Sequence, residues 1–153
     1  MKFDPSLPWR DISSGGFNQL IGPARFARAG ENEWHGMLAL DERHRNVGGV
    51  CHGGVTLSLA DLTMGTATFE AGGRRPCATI EMGSHFLAAA KMGQSLLAIA
   101  TQDRGVRDLS FMSCEIWATG DDSRRLVMRA SGIWKYLASR EAQDPQTDPP
   151  KGP

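Results

Sequence analysis

The segment Gly53 to Glu70, Gly-Gly-Val-Thr-Leu-Ser-Leu-Ala-Asp-Leu-Thr-Met-Gly-Thr-Ala-Thr-Phe-Glu, has helix length and carries small or apolar residues on almost every face. A surface helix shows one apolar stripe; a helix with no polar side has to be covered. Ala71-Gly72-Gly73 ends it, and the pattern on both sides is β. Before it, Ala24 to Ala29 and Glu33 to Leu40 are separated by Gly30-Glu31-Asn32, the turn chemistry of a hairpin. After it come Cys77 to Leu87, Ser95 to Gln102, Leu109 to Ala118 and Leu126 to Leu137, punctuated by Gly93, Gly105 and Gly120-Asp121-Asp122. Leu109, Phe111, Ser113, Glu115 and Trp117 fall on one side of their strand and their neighbours on the other. Two strands, one long helix and four longer strands predict an α+β domain. The helix lies on the concave face of a single curved antiparallel sheet of about six strands.

The 153 residues suffice for one domain with a sizeable core. The ordered unit runs from 12 to 137. Residues 1–11, with Pro5 and Pro8, read as a flexible lead-in, and 138–153 as a disordered, proline-rich tail. Phe17, Leu20 and Ile21 suggest a short helix before Pro23. Lys plus Arg and Asp plus Glu both total 17, so no global field favours nucleic acid or an anionic membrane. No apolar run reaches transmembrane length and the N-terminus has no secretory pattern, so a cytoplasmic location is expected. Cys51, Cys77 and Cys114 are too few and too scattered for a disulfide framework. No Cys-x-x-Cys, His-x-x-x-His or His-Glu-x-x-His spacing occurs among them and the four histidines. No metal site is therefore expected, although Cys51 stands beside His52.

Asn46-Val47-Gly48-Gly49-Val50-Cys51-His52-Gly53-Gly54 leads straight into the helix. The first amides of a helix lack intrahelical acceptors and sit at the positive end of the dipole, so Gly53 and Gly54 offer donors to an incoming oxygen. Such donors build an oxyanion hole; the plainer reading is that the glycines only make a tight turn into the helix. Val55 stands where a phosphate-binding loop needs lysine, and neither a Gly-x-Gly-x-x-Gly nor a Gly-x-Ser-x-Gly motif is present. Asp61 lies between Ala60 and Leu62 in this apolar helix, where a carboxylate needs a partner, a hydrated cleft or a catalytic task. Eight residues at ~1.5 Å rise place Asp61 about 12 Å from Gly53, too far for both to touch one small reacting group. If both serve one site, they come from two chains, which points to a dimer with sites at its interface.

Asn46, Gly49, His52, Gly53, Gly54 and Asp61, at this spacing, resemble the acyl-CoA thioesterases of the PaaI type in the hotdog-fold superfamily. The resemblance covers the whole ordered domain. It implies that the Gly53 amide polarises the thioester carbonyl while Asn46 and His52 orient substrate, leaving group or water. Asp61 of the partner chain would be general base or nucleophile. Thr79 matches the position where relatives carry Ser or Thr beside the aspartate. Coenzyme A would belong to the substrate, with no separate cofactor, and the homodimer would pair into a tetramer. Arg104 and Arg107 flank a turn where relatives meet coenzyme A phosphates, though such a turn is also an ordinary solvated hairpin tip. Ala88-Ala89-Ala90 before Lys91 departs from the proline that relatives often have. Glu81 and His85 read as polar edge residues and the scattered methionines as core filling. The alternative is a hotdog module that binds or senses acyl-CoA without turnover; a dehydratase or a purely structural subunit finds less support in the motif.

Overall fold

The computed structural model describes residues 4–120 and 123–138. Its strands are β1 (Arg10–Asp11), β2 (Ala24–Arg28), β3 (Glu33–Ala39), β4 (Cys77–Phe86), β5 (Ser95–Gly105), β6 (Leu109–Gly120) and β7 (Ser123–Tyr136). All belong to one antiparallel sheet in the spatial order β1-β2-β3-β5-β6-β7-β4. Helices α1 (Gly16–Ile21) and α2 (Gly53–Ala71) complete the fold. The expected tail from 138 falls, from residue 139 on, outside the described residues.

Local chemistry explains the elements. At the β2–β3 turn the amides of Ala29 and Gly30 both donate to the Glu33 carbonyl, and the Arg28 guanidinium donates to the carbonyls of Gly30 and Glu31. The alternation in β6 is as the sequence indicates, with Ser110, Met112, Cys114, Ile116 and Ala118 buried and the residues between them half-buried. A seventh strand goes beyond the six expected. Two exposed residues, Arg10 and Asp11, pair with Phe26 and Arg25, and no apolar pattern marks them. Arg10 also donates to Glu70 Oε1 at 2.6 Å, while Trp34 Nε1 donates to the other oxygen of Glu70 at 3.0 Å. One carboxylate thereby joins β1, β3 and the end of α2.

Helix α2 lies across the sheet with Leu59, Ala60, Thr63, Met64 and Ala67 buried against Trp34, Leu38, Ala98, Ala100, Met112 and Met128. Glycines on both layers allow the close approach: a Cβ on Gly36 of β3 would collide with the Thr63 side chain, and one on Gly72, which caps the C-terminus of α2, with the Tyr136 ring. The expectation that the helix is covered all round holds for one face only. Leu57, Ser58, Asp61, Leu62, Gly65 and Thr66 are half-buried and line an open groove. The all-apolar character of the segment thus records two faces with different neighbours. Helix α1 forms as expected, but only Ile21 is buried; Phe17 and Leu20 project outward at 61% and 71% exposure. Among the described residues no helix is long and apolar enough to cross a membrane.

If the α2–β3 contact sets the spacing of the domain, Gly36→Ala should destabilise the fold by about 1–3 kcal/mol, the usual consequence of overfilling a packed core. Urea unfolding of both proteins measures this. An unchanged midpoint would show that Thr63 moves aside without cost.

Candidate active site

The loop entering α2 is held by its own side chains. Asn46 Oδ1 accepts from the amides of Gly48 at 2.8 Å and Val50 at 3.2 Å, while the Asn46 backbone bonds those of Val50 and Gly49. Gly49 turns with φ of +83°, a conformation that favours glycine. Outside the loop, His52 N donates to the His44 carbonyl and Cys51 N to the Ala90 carbonyl, both at 2.8 Å. His44 is buried in a short 3-10 turn, with Nδ1 accepting from Asp41 N and Nε2 donating to the Ile21 carbonyl. Beside it, hydrogen bonds from the Arg43 side chain and backbone hold the Asp41 carboxyl well below the usual carboxylate range, at about 2. The catalytic-loop candidate is therefore anchored at two points outside itself, His44 and Ala90.

His52 is the N-cap of α2. Its Nδ1 accepts from Gly54 N at 2.9 Å, which places the ring proton on Nε2. This changes the part expected of the paired glycines. The Gly54 amide is occupied by the imidazole, and the Gly53 amide has no acceptor among the described residues. The two-donor arrangement read from the sequence reduces to one free donor, aimed by the cap beside it. Phe86 rests against this point, its Cε1 lying 3.2 Å from where a Gly53 Cβ would sit. Sequence reasoning passed over Phe86 because an aromatic residue ending a strand carries no signal of its own.

Asp61 stands two turns further along α2, on the groove side. Thr79 Oγ1 donates to its Oδ1 at 2.8 Å, so the pairing expected of these two residues is present within one chain. A bulge in β4 shapes this contact: the register against β7 shifts between Thr79, opposite Trp134, and Glu81, opposite Ile133. Gly132 accommodates the bulge, since a Cβ there would lie 2.6 Å from the Glu81 carbonyl. Asp61 and Thr79 open into a groove of about 670 Å³ whose wall includes Phe17, Leu62, Phe69, Met82 and Trp134. Gly53 does not line it.

The other candidates separate from this pair. Arg104 is the penultimate residue of β5 and Arg107 lies in the β5–β6 turn, both exposed; Arg75, just past the C-terminal end of α2, donates to the Arg107 carbonyl at 3.1 Å. They sit at the opposite end of α2 from Gly53, and one chain does not bring them to the same place. Glu81 and His85 are exposed on β4, as polar edge residues are. Cys51 and His52 diverge: the thiol is buried near Thr56 Oγ1, the imidazole is exposed and caps the helix. Burial pushes the thiols of Cys51 and Cys77 up, and that of Cys114 to about 12. At neutral pH these are packing groups rather than nucleophiles.

β4 is an edge strand of ten residues, paired to β7 on one side and, among the described residues, to nothing on the other. Ile80 and Phe86 on it are 57% and 56% exposed. A long apolar edge next to an apolar groove is a surface that proteins cover.

A profile of the thioesterase superfamily matches residues 48–124, just over half the chain and including Gly53, Asp61 and Thr79; the chain belongs to that superfamily. A candidate esterase of Pseudomonas aeruginosa, PA0474, is 29% identical over 116 residues, covering 75% of this chain and 84% of its own. Zebra fish thioesterase superfamily member 2 superposes with a TM-score of 0.71 at 23% identity, over 81% of this chain and 88% of its own. A hypothetical thioesterase of Streptococcus pneumoniae, solved with coenzyme A, gives 0.69 at 17% identity over 78% and 89%. The architecture is the hotdog fold, a long helix wrapped by an antiparallel sheet.

At pH 8, native protein treated with a thiol-alkylating reagent should leave Cys114 unlabelled over the time in which urea-unfolded protein reacts completely. Rapid labelling of Cys114, read by peptide mass spectrometry, would show that β6 is not packed as described.

Proposed function

We propose that the protein is an acyl-CoA thioesterase of the PaaI type, working as a homodimer with its sites at the interface. One observation carries the reading. A free helix-terminal amide at Gly53 and a threonine-held carboxylate at Asp61 lie on one helix but about 12 Å apart, and the carboxylate faces an apolar groove beside an unpaired strand. A two-fold axis that runs two α2 helices antiparallel sets each Asp61 near the other chain's Gly53 and lets the β4 edges cover each other. Superfamily membership and the coenzyme A in the S. pneumoniae structure support the substrate class. Two such dimers would pair into the tetramer that the resemblance implies.

In this site the thioester carbonyl oxygen accepts from Gly53 N–H, which stabilises the oxyanion as the carbonyl carbon becomes tetrahedral. On the chain that supplies the carboxylate, Thr79 holds Oδ1 of its own Asp61, leaving Oδ2 free. That oxygen either takes the proton of an attacking water or attacks the carbonyl carbon itself, giving an anhydride that water then opens. The C–S bond breaks, a C–O bond forms, and the thiolate takes up a proton. Asn46 and His52 act as positioning residues, one folding the loop and the other occupying Gly54 so that Gly53 remains the donor. The His52 side chain is exposed.

The test is thiol release from a panel of acyl-CoAs by the wild type, Asp61→Asn and Thr79→Ala. Asp61→Asn should lower kcat by ~10²-fold or more, as loss of a base or nucleophile does, with the assembly intact by light scattering. Thr79→Ala should lose less, roughly 10-fold, because the carboxylate remains but is no longer held. Binding of acyl-CoA without turnover by the wild type would replace this reading with a sensing module.

A further inference from the structure

One donor on the wall of the groove is left without an acceptor. The chain has four tryptophans, and the indole N–H groups of three are committed. Trp9 Nε1 donates to the Asp4 carbonyl at 2.8 Å, Trp34 Nε1 to Glu70 at 3.0 Å and Trp117 Nε1 to Glu115 at 3.1 Å. Trp134, on β7, is 1% exposed, yet its Nε1 has no acceptor among the described residues. A buried indole N–H normally finds a partner, because an unpaired one loses its hydration for nothing in return. This one is not sealed in the core: Trp134 and Gly65 both line the groove that holds Asp61 and Thr79, and Nε1 is the Trp134 atom that faces the Gly65 Cβ position. The other polar side chains of that wall, Asn18 apart, have their hydrogens placed within the chain. Ser58 Oγ donates to the Gly54 carbonyl and Thr66 Oγ1 to the Leu62 carbonyl, both at 2.7 Å, Cys77 Sγ to the Gly65 carbonyl at 3.5 Å, and Thr79 Oγ1 to Asp61.

Gly65 keeps this N–H open. Glycine inside a helix weakens it relative to alanine. At Gly36, Gly72 and Gly132 close packing requires the missing side chain, but at Gly65 an added Cβ would meet a single atom apart from the helix backbone, Trp134 Nε1, at 3.4 Å, an ordinary contact. A methyl group there fits the fold and covers the indole N–H. Gly65 also lies four residues after Asp61 on the same face of α2, about 6 Å along the axis. In the proposed antiparallel pair the other α2 begins level with Asp61, so that helix does not run over Gly65.

We infer that the Trp134 Nε1–H is a specificity-determining donor for the acyl group, reached through the gap at Gly65. The acyl chain that leaves the scissile carbonyl at Asp61 carries an oxygen acceptor, keto, hydroxyl or ether, about 6 Å further on. With C–C bonds of ~1.5 Å, that places the oxygen at about the fifth carbon of an extended chain. This rests on the acyl-CoA reading of the site. An acyl group with such an oxygen pairs the indole N–H as it drives water from the groove. One with a methyl group in its place leaves the donor dry and unpaired, and a site built to hydrogen-bond its substrate rejects such an analogue strongly.

The test compares two coenzyme A esters of one shape, 5-oxohexanoyl and 5-methylhexanoyl, which differ by an oxygen in place of a methyl group. Wild type should prefer the oxo ester in kcat/KM by about 10-fold or more, the usual worth of a buried hydrogen bond against an unpaired donor. Gly65→Ala, which covers the N–H, and Trp134→Phe, which removes it, should each bring the ratio of the two esters close to one. Gly65→Ala decides the matter where Trp134→Phe, a substitution in the core, fails to fold. Equal kcat/KM for the two esters in wild type overturns the inference and leaves the hydrolase standing. A preference that survives in Gly65→Ala overturns it too. Calorimetric titration with the same two esters reads the donor without turnover. If wild type hydrolyses neither ester but binds the oxo ester about 10-fold more tightly, and Gly65→Ala loses that margin, the donor stands and the hydrolase reading falls.

Discussion

The close seating of α2 on the sheet is the contact on which the rest depends. Gly36 gives Thr63 the space to lie against β3, and Ala98 and Ala100 keep β5 low beneath the helix. With the helix at that height, its N-terminus emerges where the Asn46–His52 loop can cap it, and Asp61 comes level with Thr79 on β4. A bulkier strand surface would lift the helix and separate the carboxylate from its hydroxyl donor. Packing density in the core is thus the physical origin of the site geometry.

On the proposed reading, the same helix makes one chain an incomplete unit. Its second face is apolar enough to be buried, yet it meets only a groove, and the neighbouring β4 presents a long unpaired edge with Ile80 and Phe86 exposed. Water is a poor partner for both surfaces. A second copy that covered them would also supply the other half of the proposed chemistry, since Gly53 and Asp61 of one chain are too far apart to share a substrate atom. On the proposed reading, assembly and catalysis answer to a single geometric fact.

Much of this was legible in the sequence because it depends on local pattern. Period-two strands, the glycine-ended helix and the loop-to-helix junction are written in neighbouring residues. The contact of Asp61 with Thr79 followed only from resemblance, because it depends on a bulge that Gly132, about fifty residues away along the chain, makes possible. The competition between His52 and a substrate for the Gly54 amide was equally hidden, since a histidine cap leaves no composition signal. β1 was missed because two exposed residues form no pattern. Arg104 and Arg107 arrive at the end of α2 away from their own Gly53, which sequence distance does not say.

The central claim is that each site takes its amide from one chain and its carboxylate from the other. Subunit mixing tests it most directly. Gly53→Pro removes the amide proton at the first helical position, where proline is tolerated, and His52 already has the extended backbone that precedes proline. Gly53→Pro and Asp61→Asn should each be inactive alone. Mixed, dissociated and reassociated in equal amounts, they should recover about a quarter of wild-type activity, because half the dimers are hybrids and each hybrid holds one intact site. Hybrid dimers that form, by native mass spectrometry, yet show no recovered turnover would contradict the account and place the whole site within a single chain.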